Sequence, residues 1–316
     1  MYYPYFRGKQ FELILLRDNA EFMFENKIFP IIEPVKKDFS ALIRAMNIIN
    51  EKKAECTLIV NPNTGKEPVS TLSILKELIE AEFKGYNNIS IGYILHAESN
   101  TAELQKLLKK YSHFAFTILH YGYANGKTLA SEIKDFKNIK THVFIEGFAG
   151  KLYQRHLKKK GIKRVLIRNG FKPQKKNANY PRREHFSDLH ITYPDEGMDG
   201  FGDYLIVGDD YTETGGPAYA VAIHLTFLDA DDDMFIYHFI SIQTDSPTDP
   251  GGKFLEALTK LVKKLKDKKS LVYKSKAYFE YLDLFEKQHY PGLGYVKKLS
   301  MQHHIELIAD YIKRVS

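Results

Sequence analysis

Tryptophan is absent from this chain of 316 residues, and cysteine occurs once, at Cys56. A single cysteine excludes an internal disulfide and every cysteine-clustered zinc site, and it suits a reducing, cytoplasmic setting. Cys56 lies in CTLIV, whose apolar neighbours favour an inert core thiol over a nucleophile. Long hydrophobic runs are missing too. VAIHLTFL (221–228) falls far short of the roughly 20 apolar residues of a membrane helix, so no membrane partner is expected. The first residues lack the charged, apolar, small-residue order of a signal peptide. HExxH, GxSxG and the dinucleotide and phosphate-loop glycine patterns do not occur. NPNTGKEP (61–68) has a Gly-Lys step after a strand but not the rest of a phosphate loop, and reads as an ordinary connection with Ser70 capping the next helix.

What is present supports a large core: 44% of the residues are hydrophobic. The net charge of +7 permits an anionic partner without requiring one. Much of the basic excess lies in residues 157–164, 171–184 and 260–269. From residue 11 to about 170, short apolar runs alternate with amphipathic segments. The runs are FELILL (11–16), IFPIIEPV (28–35), CTLIVN (56–61), ISIGYILH (89–96), FAFTILHYG (114–122), THVFIEGF (141–148) and KRVLIRNG (163–170). Between them SALIRAMNII, STLSILKELI and their counterparts repeat apolar residues every three or four positions, as helices do. Nearly continuous apolar strands suit a parallel sheet covered on both faces. Seven such units predict an α/β fold of the TIM-type βα barrel class.

Residues 171–202 break the rhythm and read as a long basic loop. DYLIVGDDY (203–211) is expected as the last, irregular strand. AYAVAIHLTFL and MFIYHFISIQ then form an inserted antiparallel hairpin around the acidic tip DADDD, and residues 251–316 form C-terminal helices. The whole, 1–316, is expected as one barrel-like domain.

Barrels work at the C-terminal ends of their strands. The residues expected there are polar: Glu33, Asn61 with Asn63, His96, His120, Glu146, Arg168 with Asn169, and Asp203. Glu33 and Glu146 can act as general acid and base, with His96 and His120 completing a catalytic set. On that reading, Glu33→Gln and Glu146→Gln remove activity and leave thermal stability intact. Asn61, Arg168, Asn169 and Asp203 are the expected ligand contacts, with Lys172, Arg182 and Arg183 from the basic stretch FKPQKKNANYPRRE. The two histidines and a glutamate have the chemistry of a zinc, iron or manganese site, but no tight ligand spacing supports one, so no metal is assigned. The sequence specifies no cofactor. His224 and His238 face each other across the hairpin as core histidines, and His303 and His304 read as a surface patch on the last helix.

The opening YYPYFRGKQFELILLR, the strand FPIIEPVK and the block FGDY…GGPAYAVAIH…IYHFISI resemble an uncharacterised bacterial family related to the phage beta-protein family, over Tyr2 to about Leu258. The resemblance implies a barrel-like α/β fold and a place in phage-defence or similar conflict systems, and it transfers no residue role. With FELILL as the first strand, Tyr2, Tyr3, Tyr5 and Phe6 would cover the barrel bottom as a structural lid, with Arg7 or Lys9 as phosphate contacts. Three functions stay open. One is a conflict-system protein that binds an anionic ligand (nucleotide, nucleic acid or phosphorylated molecule) and acts with a second protein. Another is a carboxylate- or metal-dependent barrel hydrolase or lyase acting on a small phosphorylated or carboxylated metabolite. The third is a non-catalytic interaction module.

Overall fold

The computed structural model describes residues 1–212 and 216–315; residues 213–215, inside the turn-rich TETGGP segment, and residue 316 lie outside the described residues. The chain divides into two compact units. Met1–Arg168 with Thr192–Asp203 form the first, and Asn169–Ile191 with the chain from Tyr204 on form the second.

The first unit is the barrel. Its strands are β1 (Tyr5–Phe6), β2 (Ile31–Ile32), β3 (Cys56–Ile59), β4 (Ile89–His96), β5 (Ala115–Tyr121), β6 (Ile139–Ile145), β7 (Lys163–Ile167) and, past β8 (Arg183–Ser187) of the second unit, β9 (Gly200–Gly202). They pair in that order and all in parallel. Tyr3 N donates to Phe201 O (2.8 Å), Phe201 N to Met1 O (3.1 Å) and Tyr5 N to Asp203 O (2.9 Å). These bonds tie the last strand to the N-terminal segment, and the sheet curls into a nearly closed eight-stranded barrel. Between the strands run α1 (Gln10–Asp18), α2 (Ala20–Glu25), α3 (Ser40–Glu51), α4 (Thr71–Ser73, continuing through the π-helical Ile74–Glu82), α5 (Thr101–Lys110), α6 (Gly126–Ile133) and α7 (Lys151–His156). Their burial follows the apolar stripe: α3 buries Leu42, Ala45, Met46 and Ile49. Cys56 is a buried core thiol, pushed up to about 12 by its burial.

Two strand expectations are corrected. FELILL is the helix α1, and the first strand is Tyr5–Phe6. A six-residue apolar run fits a buried helix as well as a buried strand, and the flanks decide. Gly8 turns the chain at φ +60°, a conformation that suits glycine. The Glu12 carboxylate then accepts from the backbone N–H groups of Arg7 (2.7 Å) and Lys9 (3.3 Å), closing the first helical turn. Tyr2, Tyr3 and Tyr5 are therefore part of the barrel wall and its seam. The last strand is GFG at 200–202, not 203–211, where the chain turns at Tyr204–Val207. Glycine has low strand propensity, which hides this strand in the sequence. The seam needs it. A Cβ on Gly200 would sit 2.9 Å from Met1 O, and one on Gly202 would run into the Tyr3 carbonyl. Gly202→Ala is expected to lower the unfolding free energy by about 1–3 kcal/mol in chemical denaturation. Gly85→Ala, which meets nothing within 4 Å, should leave it nearly unchanged.

The second unit is built on a three-stranded antiparallel sheet, β10 (Ala222–Leu228), β11 (Met234–Ile240) and β8, in that order. The hairpin is present as expected, and its register sets His224 opposite His238. Residues 171–202 are not simply a loop: Arg183–Ser187 supply the third strand of this sheet, Leu189–Thr192 form the short α8, and Gly200–Gly202 close the barrel. The helices α9 (Pro250–Leu265), α10 (Lys276–Glu286) and α11 (Leu293–Val315) complete the unit. Ile223, Leu225 and Phe227 form a core cluster with Phe254, Leu258, Leu261, Tyr281 and Leu299. His303 and His304 are not a surface patch; both are 0% exposed. His303 bridges Ser275 Oγ (2.8 Å) and Thr226 O (2.8 Å), and His304 Nδ1 meets Thr226 Oγ1 (3.0 Å). The apolar residues on both sides of this pair bury α11 almost all round, which brings its polar residues inside as well.

Candidate active site at the barrel mouth

Glu33 leaves β2 at its C-terminal end with 1% of its surface exposed. Its Oε2 accepts from Tyr5 Oη (2.8 Å) and Arg7 Nη1 (2.7 Å), and its Oε1 from Asn63 N (3.0 Å) and Thr64 Oγ1 (2.7 Å). A carboxylate has about four acceptor positions, and here each is taken. Arg7 also donates to Thr64 Oγ1 and lies over the Tyr5 ring at 5.1 Å. The Arg-Gly-Lys step after β1 thus places a guanidinium inside the mouth, locked to Glu33.

His96 ends β4. Residues 90, 92, 94 and 96 share one face of that strand. This is the inner face: Ser90 Oγ meets Thr117 Oγ1 (2.9 Å), which in turn meets Thr57 Oγ1 (3.2 Å). Burial pushes the His96 imidazole below its usual value, while the Glu33 charge pulls the other way. The ring is therefore neutral near pH 7. Its Nε2 is buried and has no hydrogen-bond partner among the described residues. Tyr121, on the inner face of β5, meets the His96 ring edge-on at 5.4 Å, and Phe148 stacks on Tyr121 at 4.1 Å. Phe148 is 46% exposed, so the stack presents an aromatic surface to solvent.

The remaining strand-end residues divide. Glu146 accepts from Arg168 Nε at both oxygens (2.8 and 2.9 Å), a partly exposed pair joining the ends of β6 and β7. Asn61 clamps the backbone of Ile94, accepting from its N–H (2.8 Å) and donating to its carbonyl (2.9 Å). Asp203 is buried and accepts from Tyr2 Oη (2.8 Å). His120 is not brought to the His96 set. Alternation along β5 turns it outward, where Nδ1 meets Tyr153 Oη of α7 (2.7 Å) and Nε2 meets His142 Nδ1 (3.0 Å). Burial pushes His120 well below its usual value, with His142 adding to the effect.

Asn169, Lys172, Arg182 and Arg183 belong to the second unit. Lys172 Nζ approaches His185 O (3.4 Å), Arg183 lies 3.8 Å over the Phe235 ring, and Asn169 Oδ1 is 3.5 Å from where a Gly208 Cβ would stand. Lys172 and Arg182 are exposed. Among the described residues no group of three His, Cys, Asp or Glu side chains could hold a metal ion, and no helix is long and apolar enough to cross a membrane.

Thr64, Tyr121 and Phe148 join the mouth without having been expected there from the sequence. Tyr121 was legible in principle, because period-two counting from Thr117 puts it, and not His120, on the inner face.

No protein-family model matches the chain, and no curated protein matches it. Among solved structures, two crystal forms of N-acetylneuraminate lyase from Mycoplasma synoviae align at 10% and 11% identity with TM-scores of 0.39 and 0.38. Each alignment covers 65% of this chain, and 67% and 66% of the lyase chains respectively. The enoyl reductase domain of MlnA from the macrolactin biosynthesis cluster of Bacillus amyloliquefaciens aligns at 9% identity and a TM-score of 0.36, over 99% of this chain and 81% of its own. Likenesses this remote assign neither an activity nor a substrate.

Proposed function

We propose that the barrel unit is an enzyme acting on a small carboxylated or phosphorylated metabolite at its mouth, with His96 as the group that moves the proton. The observation that carries this reading is the buried, unpartnered Nε2 of His96. Leaving such an atom unsatisfied costs about 1–3 kcal/mol, and native proteins keep few of them. A substrate that bonds to Nε2 offsets that cost. Glu33 is saturated by its four donors and serves by position: its fixed charge favours the imidazolium that forms when His96 takes a proton. Tyr121 and Phe148 give a flat apolar wall against which a substrate face can lie. Arg168, held by Glu146 in a half-exposed pair, is the cation nearest in chemistry to a carboxylate or phosphate clamp. Hydrolase and lyase steps both fit one acid–base group at a mouth that also carries a cation.

The test is a thermal-shift screen of carboxylated and phosphorylated metabolites, followed by turnover assays on the hits. His96→Gln is expected to lower kcat/KM by about 10²–10⁴-fold while leaving the melting temperature of the free protein within about a degree. Full activity in His96→Gln would remove the proposal.

A second reading, the conflict-system protein with a nucleotide, nucleic acid or second protein as partner, draws on the sequence resemblance and on the exposed Lys172 and Arg182.

A further inference from the structure

Outside the barrel, the sheet of the second unit carries a row of three titratable side chains in contact. Glu184 of β8 meets His238 of β11, with Oε1 2.9 Å from Nε2. His238 Nδ1 is 2.7 Å from Nδ1 of His224 on β10. The strand pairing makes the row. β10 and β11 set His224 opposite His238, and β8 lies on the other side of β11. Neither glutamate nor histidine is needed there by the core, whose apolar residues occupy the alternate positions Ile223, Leu225 and Phe227.

Hydrogen-bond logic fixes the protons. The Glu184 carboxylate only accepts, so His238 donates through Nε2. A neutral His238 then has a lone pair on Nδ1 and can only accept there. His224 must therefore donate through its own Nδ1, which leaves its Nε2 as a bare lone pair. That lone pair has no hydrogen-bond partner among the described residues. Burial keeps both rings neutral, pushing His224 well below its usual value and lowering His238 against the pull of Glu184.

The surroundings narrow what can meet the lone pair. Tyr180 and Phe171 approach His224 edge-on at 4.8 and 5.2 Å, and Tyr180 stacks on His238 at 4.6 Å, so the walls are aromatic. The Lys297 charge on α11 disfavours a proton on His224 and would favour an anion beside it. An acceptor needs a donor, aromatic walls suit a flat molecule, and a cation stabilises an oxyanion.

We propose that Glu184, His238 and His224 form a proton relay that presents His224 Nε2 as a general base to a planar, acidic hydroxyl compound, a phenol or an enol. In the step the O–H bond of the ligand breaks and its proton forms an N–H bond with His224 Nε2. The oxygen keeps the electron pair as an oxyanion. The new imidazolium hands its Nδ1 proton toward His238 and shares its charge along the row to Glu184. His224 is the residue that touches the ligand; His238 and Glu184 are positioning residues. This site is independent of the barrel mouth.

The probe is 4-nitrophenol, whose phenolate is yellow, titrated into the full-length protein at a pH below the probe's own pKa. The expected result is a phenolate band that saturates with protein. His224→Gln should lose it. Glu184→Gln should weaken it about ten-fold, the equivalent of one pKa unit. His96→Gln in the barrel should leave it unchanged, which separates this site from the one at the mouth. Absence of the band in the wild type, or its survival at full strength in His224→Gln, overturns the proposal. Nitrogen-15 imidazole spectra of the wild type give a check that needs no variant to fold. The relay requires a proton on His224 Nδ1 and none on Nε2, and the reverse tautomer overturns it.

Discussion

Glu33→Gln is expected to cost about 3–5 kcal/mol of folding stability, the range for breaking a buried ion pair from one side. Glu33 holds Tyr5, Arg7, Asn63 and Thr64 at once, and it sits 2.7 Å from an Arg7 side chain only 11% exposed. The amide would point its NH₂ group at two of those donors and leave the guanidinium without its charge partner. The sequence alone suggests the opposite outcome, lost activity with stability kept, because a strand-end glutamate in a barrel reads as an acid or base. Urea unfolding of Glu33→Gln, Arg7→Met and the double variant separates the two. If the pair is an anchor, the double variant recovers part of the loss, since no uncompensated charge stays buried. A Glu33→Gln protein with wild-type stability would show that the four donors find other partners.

Stability should also fall steeply between about pH 6.5 and pH 4. His142 in the barrel and His303 in the second unit are both lowered from 6.5 to about 4, in each case chiefly by burial. A histidine whose folded-state value lies below its unfolded one takes its proton first in the unfolded chain. Its contribution is therefore complete above pH 6.5, shrinks as the pH falls, and is gone once the folded value is passed near pH 4. At 1.36 kcal/mol for each unit, either residue accounts for about 3 kcal/mol. His120, pushed well below 6.5, acts in the same direction. Denaturation midpoints measured across this window should drop for the wild type and less steeply for His303→Gln. A flat profile from pH 7 to pH 4 would mean that these rings are hydrated.

The barrel was legible because parallel strands buried on both faces must be apolar throughout, and CTLI, ISIGYILH and KRVLI are nearly so. Its two ends were not. The first strand is two residues long and the last is GFG, each held by backbone bonds across the seam, which leave no hydrophobic pattern. The third strand of the second sheet, REHFS, was masked by its charge: Arg183 lies over Phe235 and Glu184 on His238, so polar residues do the packing that apolar ones usually do. The mouth was half legible. Strand ends named Glu33 and His96, but the side to which a terminal residue points depends on strand parity. A one-residue error in parity exchanged His120 for Tyr121.

The most direct test is a crystal structure of the protein with a metabolite found by the stability screen. A polar ligand atom is expected within about 2.6–3.2 Å of His96 Nε2, with part of the ligand against Tyr121 and Phe148. A ligand lodged instead in the groove of about 360 Å³ lined by Leu13, Ile14, Phe39 and Leu42, with His96 Nε2 untouched, would contradict it.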